Sequence, residues 1–260
     1  MALNEHNLFY KSEICTLRQD DSLKVLEDIK PESIDMIFAD PPYFLSNNGI
    51  TCQNGKMVSV NKGSWDRLSD NGTSIEEKHK FNRKWIKLCK KVLKPNGTIW
   101  ISGTMHNIYS VGMALEQEGF KIINNITWQK TNPPPNLACR CFTHSTETIL
   151  WAQKNDKKSH HFFNYELMKT LNAGKQMKDV WTGSLTKPSE KKCGKHPTQK
   201  PEYLLERIIQ ASTVPGNIVL DPFCGSGTTG VVANRLGRNF IGIDLSEEYL
   251  QITKKRLEAI

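Results

Sequence analysis

The segment from Ile218 to Gly230 constrains the fold of this chain more than any other. It begins with an apolar, β-branched run, continues through Asp-Pro-Phe-Cys-Gly-Ser-Gly and takes on helical spacing from Thr228 to Leu236. Glycine lets the backbone approach a ligand closely and lets a helix pack tightly against a sheet. The segment therefore predicts a buried strand, a ligand-binding turn and a helix, which is the repeating unit of an α/β fold.

The rest of the chain continues this alternation of strands and helices. Short apolar runs bounded by polar turns predict strands at Ile14–Leu17, Ile34–Ala39, Thr98–Ser102, Ile122–Trp128, Thr148–Trp151, Ile218–Leu220 and Phe240–Ile243. Helical spacing predicts helices at Ile75–Leu93, Ile108–Glu118, Glu202–Ala211, Thr228–Leu236 and Glu247–Leu257. We therefore expect a Rossmann-like α/β fold with a mostly parallel, seven-stranded sheet and helices on both faces.

An acidic residue follows the glycine turn at a distance typical of nucleoside binding. Asp244 lies 19 residues after Gly225, at the end of the next predicted strand, where a carboxylate can accept hydrogen bonds from ribose hydroxyls. Nicotinamide-binding proteins share this pattern, but only 16 residues follow Asp244, too few for a second mononucleotide-binding half. Asp221, directly before the turn, favours a cationic or amino-acid group over a pyrophosphate. The nucleoside-binding half therefore comes last, in a circularly permuted order.

A second candidate site, Asp40-Pro41-Pro42-Tyr43, follows the predicted strand Ile34–Ala39. Two consecutive prolines end the strand and fix the backbone rigidly. The Asp40 carboxylate and an outward-pointing Pro41 carbonyl can each accept one N–H of an amino group on a flat base, while Tyr43 stacks on that base. The alternative interpretation is a proline turn with an exposed tyrosine.

Positive charge is concentrated in one segment of a basic chain. The 260 residues carry a net charge of +8, and residues 154–195 contain ten lysines and four acidic residues. Because this segment fits the alternation poorly, we divide the domain into a first half (1–153), an inserted recognition region rather than core (154–195) and a nucleoside-binding half (196–260). Lysine in this density indicates either a solvated face or nucleic-acid contacts. Its aromatic residues Trp181, Phe162 and Phe163 can touch bases, although such residues more often form local core.

Cysteine spacing and hydropathy limit the class of protein further. The seven cysteines follow no disulfide framework, which predicts reduced thiols in a cytoplasmic protein. Cys139, Cys141, His144, Cys193 and His196 match no standard zinc-ligand spacing, so we expect no metal site. The chain has no apolar run long enough to span a bilayer, and its first ten residues do not resemble a secretory signal. We therefore expect no membrane association.

The two motifs together resemble the β class of amino-methylating DNA methyltransferases. In that class a motif like Asp40–Tyr43 precedes a cofactor motif like Asp221–Gly227, in the order found here. His196-Pro197-Thr198-Gln199-Lys200-Pro201 is similar to the family's motif before the cofactor strand. Asp21 resembles the acid that contacts the cofactor adenine, although Asp20 is an alternative.

The resemblance covers nearly the whole chain except about 44–64 and 154–195. Thr127–Lys130 and Thr146–Trp151 are similar to the sixth and seventh strands of the family. Within it, the chain is most similar to modification enzymes of the MboII or DpnII kind. Residues Phe44–Ser64, which contain no acidic residue, are interpreted either as a mobile loop that closes over DNA or as an ordinary surface loop.

The resemblance implies a site-specific, adenine-specific DNA methyltransferase that acts on a base flipped out of the helix. S-adenosylmethionine would supply the methyl group and the N6 amino group of adenine would accept it. The implied catalytic residues are Asp40, Pro41, Pro42 and Tyr43. The implied cofactor-binding residues are Asp21, Asp40, His196, Lys200, Asp221, Pro222, Phe223, Cys224, Gly225, Ser226, Gly227, Thr228, Asp244 and Leu245.

The resemblance also implies partners and leaves alternatives open. It implies double-stranded DNA as the substrate, a homodimer, and a cognate restriction endonuclease that acts separately. Aspartate as the first residue of the catalytic motif is typical of family members that act on adenine, whereas serine is more frequent in those that act on cytosine N4. Methylation of cytosine N4, of RNA or of protein glutamine remains as an alternative, and nicotinamide-dependent dehydrogenation as a more distant one. No Pro-Cys dipeptide occurs, so the covalent mechanism of cytosine-C5 methylation is not expected.

Overall fold

The computed structural model describes residues 7–44, 50–53, 56–59, 74–157 and 159–260. Its strands are β1 Leu8–Lys11, β2 Cys15–Gln19, β3 Ile34–Ala39, β4 Ile50–Gln53, β5 Lys56–Ser59, β6 Leu93–Gly103, β7 Phe120–Lys130, β8 Thr146–Lys154, β9 Val180–Gly183, β10 Ile218–Asp221 and β11 Asn239–Asp244. Its helices are α1 Ser22–Asp28, α2 Ile75–Val92, α3 Ile108–Gln117, α4 Tyr165–Leu171, α5 Glu202–Ser212, α6 Thr228–Arg235 and α7 Glu247–Leu257, with a short 3-10 helix at Pro188–Lys191. Apart from Phe44 and the hairpin β4–β5, the predicted loop Phe44–Ser64 lies outside the described residues.

Nine of the described strands form one mixed sheet in the order β1-β2-β11-β10-β3-β6-β8-β7-β9. Strands β2, β11, β10, β3 and β6 run parallel, whereas β8 is antiparallel to both of its neighbours and β1 is antiparallel to β2. The α/β class is confirmed, but the expected number of seven strands is wrong. The two additional strands, β1 and β9, are four-residue edge strands without a continuous buried run, so their sequences carry little strand signal.

The two candidate motifs are far apart in the chain but start from neighbouring strands. β3 and β10 are adjacent and parallel, with Met36 opposite Val219 and Ile37 opposite Leu220. From β10 the chain crosses through α6 to β11 on one side, and from β3 it crosses through α2 to β6 on the other. A reversal of this kind opens a crevice at the carboxyl ends of the strands. Both motifs therefore face the same crevice.

Helices cover both faces of the sheet, as expected for an α/β fold. On one face α1, α2 and α3 bury residues such as Trp85 and Leu115 against Ile37 and Ile99 of the sheet. On the other face α5 and α6 pack against a group that includes the stacked rings of Trp100 and Trp151, whose centroids are 4.7 Å apart. In the described part of the chain, no helix combines the length and the apolar composition needed to cross a bilayer.

The lysine-rich segment 154–195 belongs partly to this core, which corrects the expectation that it is an insertion outside it. Strand β9 pairs in parallel with β7, and its Trp181 is opposite Trp128 and 6% exposed. Met168 of α4 is 3% exposed and packs in the same core. Phe163 lies beside Trp151, with ring centroids 5.4 Å apart. Trp181 and Phe163 thus attach the segment to the sheet. Phe162 is exposed, as are lysines such as Lys187 and Lys192.

Candidate active site

The turns after β3 and β10 open into one cavity of about 680 Å³. Acidic side chains from several elements face it, and Lys200 is the lysine among its lining residues. Of the residues expected from the sequence, all but Gly227 line the cavity: Asp21, Asp40, Pro41, Pro42, Tyr43, His196, Lys200, Asp221, Pro222, Phe223, Cys224, Gly225, Ser226, Thr228, Asp244 and Leu245. Two motifs and a linking segment from three parts of the chain are therefore brought together.

The glycine turn is held by the strand and helix that follow it. The amide of Gly225 donates to Asp244 Oδ2 over 2.8 Å, and Thr253 of α7 donates to the Gly225 carbonyl over 2.8 Å. Gly227 does not line the cavity, but its φ of 73° lies in the left-handed region, and a Cβ there would stand 2.3 Å from Thr253 Cγ2. Glycine is therefore required at this position by both conformation and packing.

Asp221 is buried and Asp244 half-buried, and neither carboxylate has a cationic partner among the residues that the structure describes. Asp221 accepts from the Phe223 amide (3.0 Å) and from the Thr229 hydroxyl (2.5 Å), and burial raises its pKa to about 7. Burial also raises the pKa of Asp244, although the amides of Ser246 and Gly225 partly oppose this shift. Among the described residues, neither carboxylate forms an ion pair with a lysine or an arginine.

This electrostatic pattern fits S-adenosylmethionine and does not fit a dinucleotide. The cofactor carries a sulfonium and an ammonium group, both of which an acidic cavity attracts. A pyrophosphate would instead be repelled by Asp221 and Asp244. The geometry thus also disfavours a nicotinamide cofactor, because carboxylates withdrawn from solvent in this way require a positive group nearby to remain ionised.

Asp40, the first residue of the catalytic motif, has both carboxylate oxygens occupied. Tyr43 donates its hydroxyl hydrogen to Oδ1 over 2.6 Å, and the Lys200 ammonium donates to Oδ2 over 2.5 Å. Lys200 Nζ also lies 3.3 Å from the Tyr43 oxygen and 5.5 Å from the centre of its ring. Tyr43, the residue predicted to stack on the base, is 6% exposed. Its hydroxyl is hydrogen-bonded to the Asp40 carboxylate. Lys200, expected near the cofactor, is bound to the catalytic motif.

Behind Lys200 lies an ion-paired group that the sequence did not reveal. Glu147 of β8 accepts from Lys130 of β7 over 2.7 Å and lies 3.5 Å from Lys200 Nζ. Burial alone would lower the pKa of Lys200, but Asp40, Tyr43 and Glu147 raise it well above its ordinary value. Burial would raise the pKa of Glu147, but the two lysines lower it. Lys200 and Glu147 are therefore charged, and the pairing joins β7, β8 and the turn before α5.

The two prolines of the catalytic motif are supported by a chain of hydrogen bonds. Asn107 donates through Nδ2 to the Pro42 carbonyl over 3.2 Å. Asn82 of α2 donates to Asn107 Oδ1 over 2.8 Å, and the Trp85 indole donates to Asn82 Oδ1 over 3.1 Å. Asn82 and Asn107 are buried, so this network fixes the backbone of the turn from the interior of the protein. Sequence patterns did not identify them, because isolated asparagines have no spacing signal.

An aromatic wall forms another side of the cavity. The rings of Phe44 and Phe81 meet edge to face at 5.7 Å, and Phe81 lies 6.3 Å from Phe223. Trp85, which does not line the cavity, packs edge to face against Phe223 with ring centroids 5.5 Å apart. Phe44 and Phe81 therefore offer apolar contact to a flat ligand in addition to Tyr43. Phe81 had no sequence signal beyond its place on an amphipathic helix.

Two further residues, Asp21 and His196, were expected to contact the cofactor, Asp21 at its adenine. Asp21 caps α1 by accepting from the Leu23 amide over 2.9 Å and lines the cavity, whereas Asp20 accepts from Asn7 and from the Asp21 amide. The geometry thus favours Asp21 over Asp20. The His196 ring packs against Tyr249 of α7, with centroids 4.3 Å apart. Tyr249 also lines the cavity and was not predicted.

The cysteine and histidine residues considered as zinc ligands are dispersed. Cys141 Sγ lies 4.0 Å from His144 Nε2 in an exposed loop, while His196 lies at the cavity. Within the described ranges, no three Cys, His, Asp or Glu side chains form a group that could hold a metal ion. The six cysteines whose side chains are described are free thiols: Cys15, Cys89, Cys139, Cys141, Cys193 and Cys224.

Comparison with known proteins identifies the family. A family described as DNA methylase matches residues 34–255. The chain is 72% identical over 251 residues to the type II methyltransferase M2.DpnII of Streptococcus pneumoniae, covering 96% of this chain and 92% of that protein. It is 69% identical over 265 residues to M2.LlaDCHI of Lactococcus lactis subsp. cremoris, covering 99% and 97%. The crystal structure of an M1.HpyAVI–SAM complex superposes with a TM-score of 0.68 at 31% identity, covering 94% of this chain and 98% of that one. The chain therefore belongs to the DNA methylase family, as the resemblance implied.

Proposed function

We propose that this DNA methyltransferase methylates the N6 amino group of adenine in double-stranded DNA. As a member of its family it takes the methyl group from S-adenosylmethionine. One observation carries the proposal: the carboxylate of Asp40 opens into the same cavity as the cation-free carboxylates Asp221 and Asp244. A site for an amino group and a site for a positively charged donor are thus adjacent.

The catalytic motif acts on the amino group by hydrogen bonding. The lone pair of an exocyclic amine is conjugated with the ring, which makes the nitrogen a weak nucleophile. Acceptance of N–H by Asp40, together with the Pro41 carbonyl, favours a pyramidal nitrogen and stabilises the positive charge that develops on it. The asparagine network below Pro42 keeps these acceptors in place. The target base must leave the helix to reach them.

The cofactor turn orients the donor. When bound, S-adenosylmethionine supplies an electrophilic methyl group on its sulfonium. Asp221 and Asp244 would attract its positive groups and accept from its ribose hydroxyls. Asp21 and His196 also line the cavity, and we assign the cofactor adenine to Asp21. Because both turns leave neighbouring parallel strands, these residues would hold the bound cofactor and the amine of the base side by side, so that positioning alone favours the transfer.

Adenine is favoured over cytosine by the chemistry of the first motif residue. A carboxylate is a stronger acceptor than a hydroxyl for the N–H of a captured amine. The aromatic wall of Phe44, Phe81 and Tyr43 also offers a purine a larger contact area than it offers a pyrimidine. Both arguments support N6 of adenine.

Methyl-labelled cofactor tests the proposal. The purified protein is incubated with duplex DNA, single-stranded DNA or RNA, and the digested nucleosides are separated by chromatography, with Asp40→Ala as the background control. Label in N6-methyladenine of duplex DNA is the expected result. Label in N4-methylcytosine would reject adenine as the target, and label in RNA alone would reject DNA.

We further propose that the exposed lysines of residues 154–195 contact the DNA backbone. The exposed Lys187 and Lys192, together with the half-buried Lys191, lie in or beside the 3-10 helix that leads to His196 and Lys200 at the cavity. Their replacement by alanine should weaken DNA binding and flatten its salt dependence, by about 0.9 in log–log slope for each lost phosphate contact.

A matched triple variant controls for the loss of charge. Lys30, Lys91 and Lys121 are exposed lysines near the amino ends of β3, β6 and β7, at the opposite edge of the sheet. Their replacement changes the net charge equally and should leave the slope within error. If both triple variants reduce the slope alike, the segment has no special role in DNA binding.

The names of the relatives support a place in a restriction–modification system. Two of them are type II methyltransferases, so we propose that a cognate restriction endonuclease acts separately on the same site. A homodimer and a cytoplasmic location remain our proposals from the family resemblance. Size-exclusion chromatography with light scattering tests the first, and cell fractionation tests the second.

A further inference from the structure

The two carboxylate oxygens of Glu147 have different surroundings. Its Oε1 accepts from Lys130 over 2.7 Å, which ties β8 to β7. Its Oε2 is buried and has no hydrogen-bond partner among the residues that the structure describes. That oxygen is 3.5 Å from the ammonium of Lys200. A buried carboxylate oxygen without a donor is unfavourable unless a donor reaches it at some stage.

Asp40 has the opposite difficulty, because both of its carboxylate oxygens already have a donor. Its Oδ2 binds Lys200 over 2.5 Å, and its Oδ1 binds the Tyr43 hydroxyl. An incoming amino group therefore competes with a charged donor for the oxygen that it needs. The ammonium cannot simply be released into the buried surroundings, because an unpaired charge there is strongly destabilising.

We propose that Glu147 is a positioning residue that receives the Lys200 ammonium when the amino group of the target base reaches Asp40. This rests on the proposed function, in which Asp40 accepts the N–H of that amine. Lys200 needs to move by less than the 3.5 Å that now separates it from Glu147 Oε2. In the resulting state Asp40 Oδ2 is free for the base, and Lys200 is still paired with a carboxylate.

The surrounding charges allow this transfer without a change of protonation. Asp40 and Glu147 balance Lys200 and Lys130, so the buried group is neutral before and after the ammonium moves. Lys130 holds Glu147 in place from the far side, and Tyr43 keeps Asp40 oriented through Oδ1. The rotation of the Lys200 side chain thus couples binding of the target base to the release of Asp40 Oδ2, the oxygen that accepts the N–H of that base.

Glu147→Gln tests the proposal, because glutamine keeps the shape but has a single oxygen for two lysines. We expect the single-turnover rate of methyl transfer to fall on the order of 10- to 100-fold, the loss typical of a charged hydrogen bond. The dissociation constant for S-adenosylmethionine should stay at the parental value. The thermal unfolding midpoint should fall, because the substitution leaves a buried ammonium without its counter-charge, so the rates are measured well below that midpoint. Glu118→Gln, which breaks an ion pair with Arg83 on the helical surface, is the matched control and should keep the parental rate.

Three outcomes would overturn the proposal. One is a Glu147→Gln rate within twofold of the parent. Another is a slower rate accompanied by an equal loss of cofactor affinity, which indicates a structural role. The third is recovery of the parental rate in the double variant Glu147→Gln, Lys130→Gln, which would mean that Glu147 only balances Lys130. Asp40→Ala, which removes the acceptor altogether and is measured in parallel, separates the two ideas: if it retains turnover, the proposed function itself fails.

Discussion

Asp40 and Asp221 lie at the ends of neighbouring strands and face the same cavity, yet their carboxylates have different partners. Asp40 is paired with the Lys200 ammonium and the Tyr43 hydroxyl. Asp221 has only the Phe223 amide and the Thr229 hydroxyl, and in the described part of the chain no cation pairs with it. One carboxylate is neutralised by the protein, and the other is left for a ligand.

The difference corresponds to the charge of what each side must bind. An exocyclic amine is neutral in its ground state, so the acceptor for it can be held at low net charge by a lysine. S-adenosylmethionine is cationic, so the carboxylates that meet it gain most if no internal lysine competes. The Asp40 side of the cavity is thus suited to a neutral amine and the Asp221 side to a cation. Substitutions on the two sides should therefore affect different quantities.

The largest effect is expected from Asp40→Ala. Because Asp40 acts on the developing charge of the amine, its loss should lower the rate of methyl transfer by about 10²- to 10³-fold or more. Cofactor affinity should remain near that of the parent, because Asp221 and Asp244 are untouched. Single-turnover kinetics and calorimetric titration measure the two quantities. Near-parental turnover would falsify the mechanism.

The opposite pattern is expected from Asp221→Ala and from Asp244→Ala. Each removes a carboxylate from the cation-binding side, and loss of a charged hydrogen bond costs about 1.5–3 kcal/mol, or roughly tenfold or more in affinity. Titration with S-adenosylmethionine measures the effect. If Asp244→Ala binds as tightly as the parent, the assignment of Asp244 to the ribose is wrong.

Asp221 also predicts a pH dependence. Burial raises its pKa to about 7, from 3.8, so the apo protein holds a proton there that the unfolded chain has released. Stability of the apo protein should therefore fall as the pH rises from about 4 to 7, and Asp221→Asn should flatten this trend. Affinity for the cationic cofactor should change in the other direction, rising by up to about tenfold per pH unit until pH 7. Thermal unfolding and titration between pH 5 and 8 test both signs.

The sequence predicted the parts of the molecule that follow local rules. The central strands, the five long helices and the two motif turns all have a strong apolar period or a proline or glycine signal, and the structure places them as expected. Asp40, Asp221 and Asp244 could be identified because each follows a buried strand. The topological crevice then followed from the order of the elements.

The parts that the sequence missed depend on tertiary contacts. Glu147 and Lys130 lie on antiparallel strands far from Lys200 in the chain, and only the pairing of β7 with β8 brings them to the catalytic motif. Edge strand β9 has a single buried side chain, Trp181, so its sequence shows no alternation of apolar and polar residues. Isolated polar residues such as Asn107 likewise acquire a role only through the fold.

Tyr43→Phe is expected to have the smallest effect, and it distinguishes two roles of one residue. Removal of the hydroxyl leaves the ring, so any stacking on the base is preserved. The Asp40 carboxylate loses the 2.6 Å hydrogen bond that orients it but keeps Lys200. Loss of one such bond costs about 1 kcal/mol, so the rate should fall roughly fivefold with unchanged cofactor affinity. A much larger loss would show that the hydroxyl touches the reacting amine. Tyr43→Ala removes both the ring and the hydroxyl, so the difference between its rate and that of Tyr43→Phe measures the contribution of the ring.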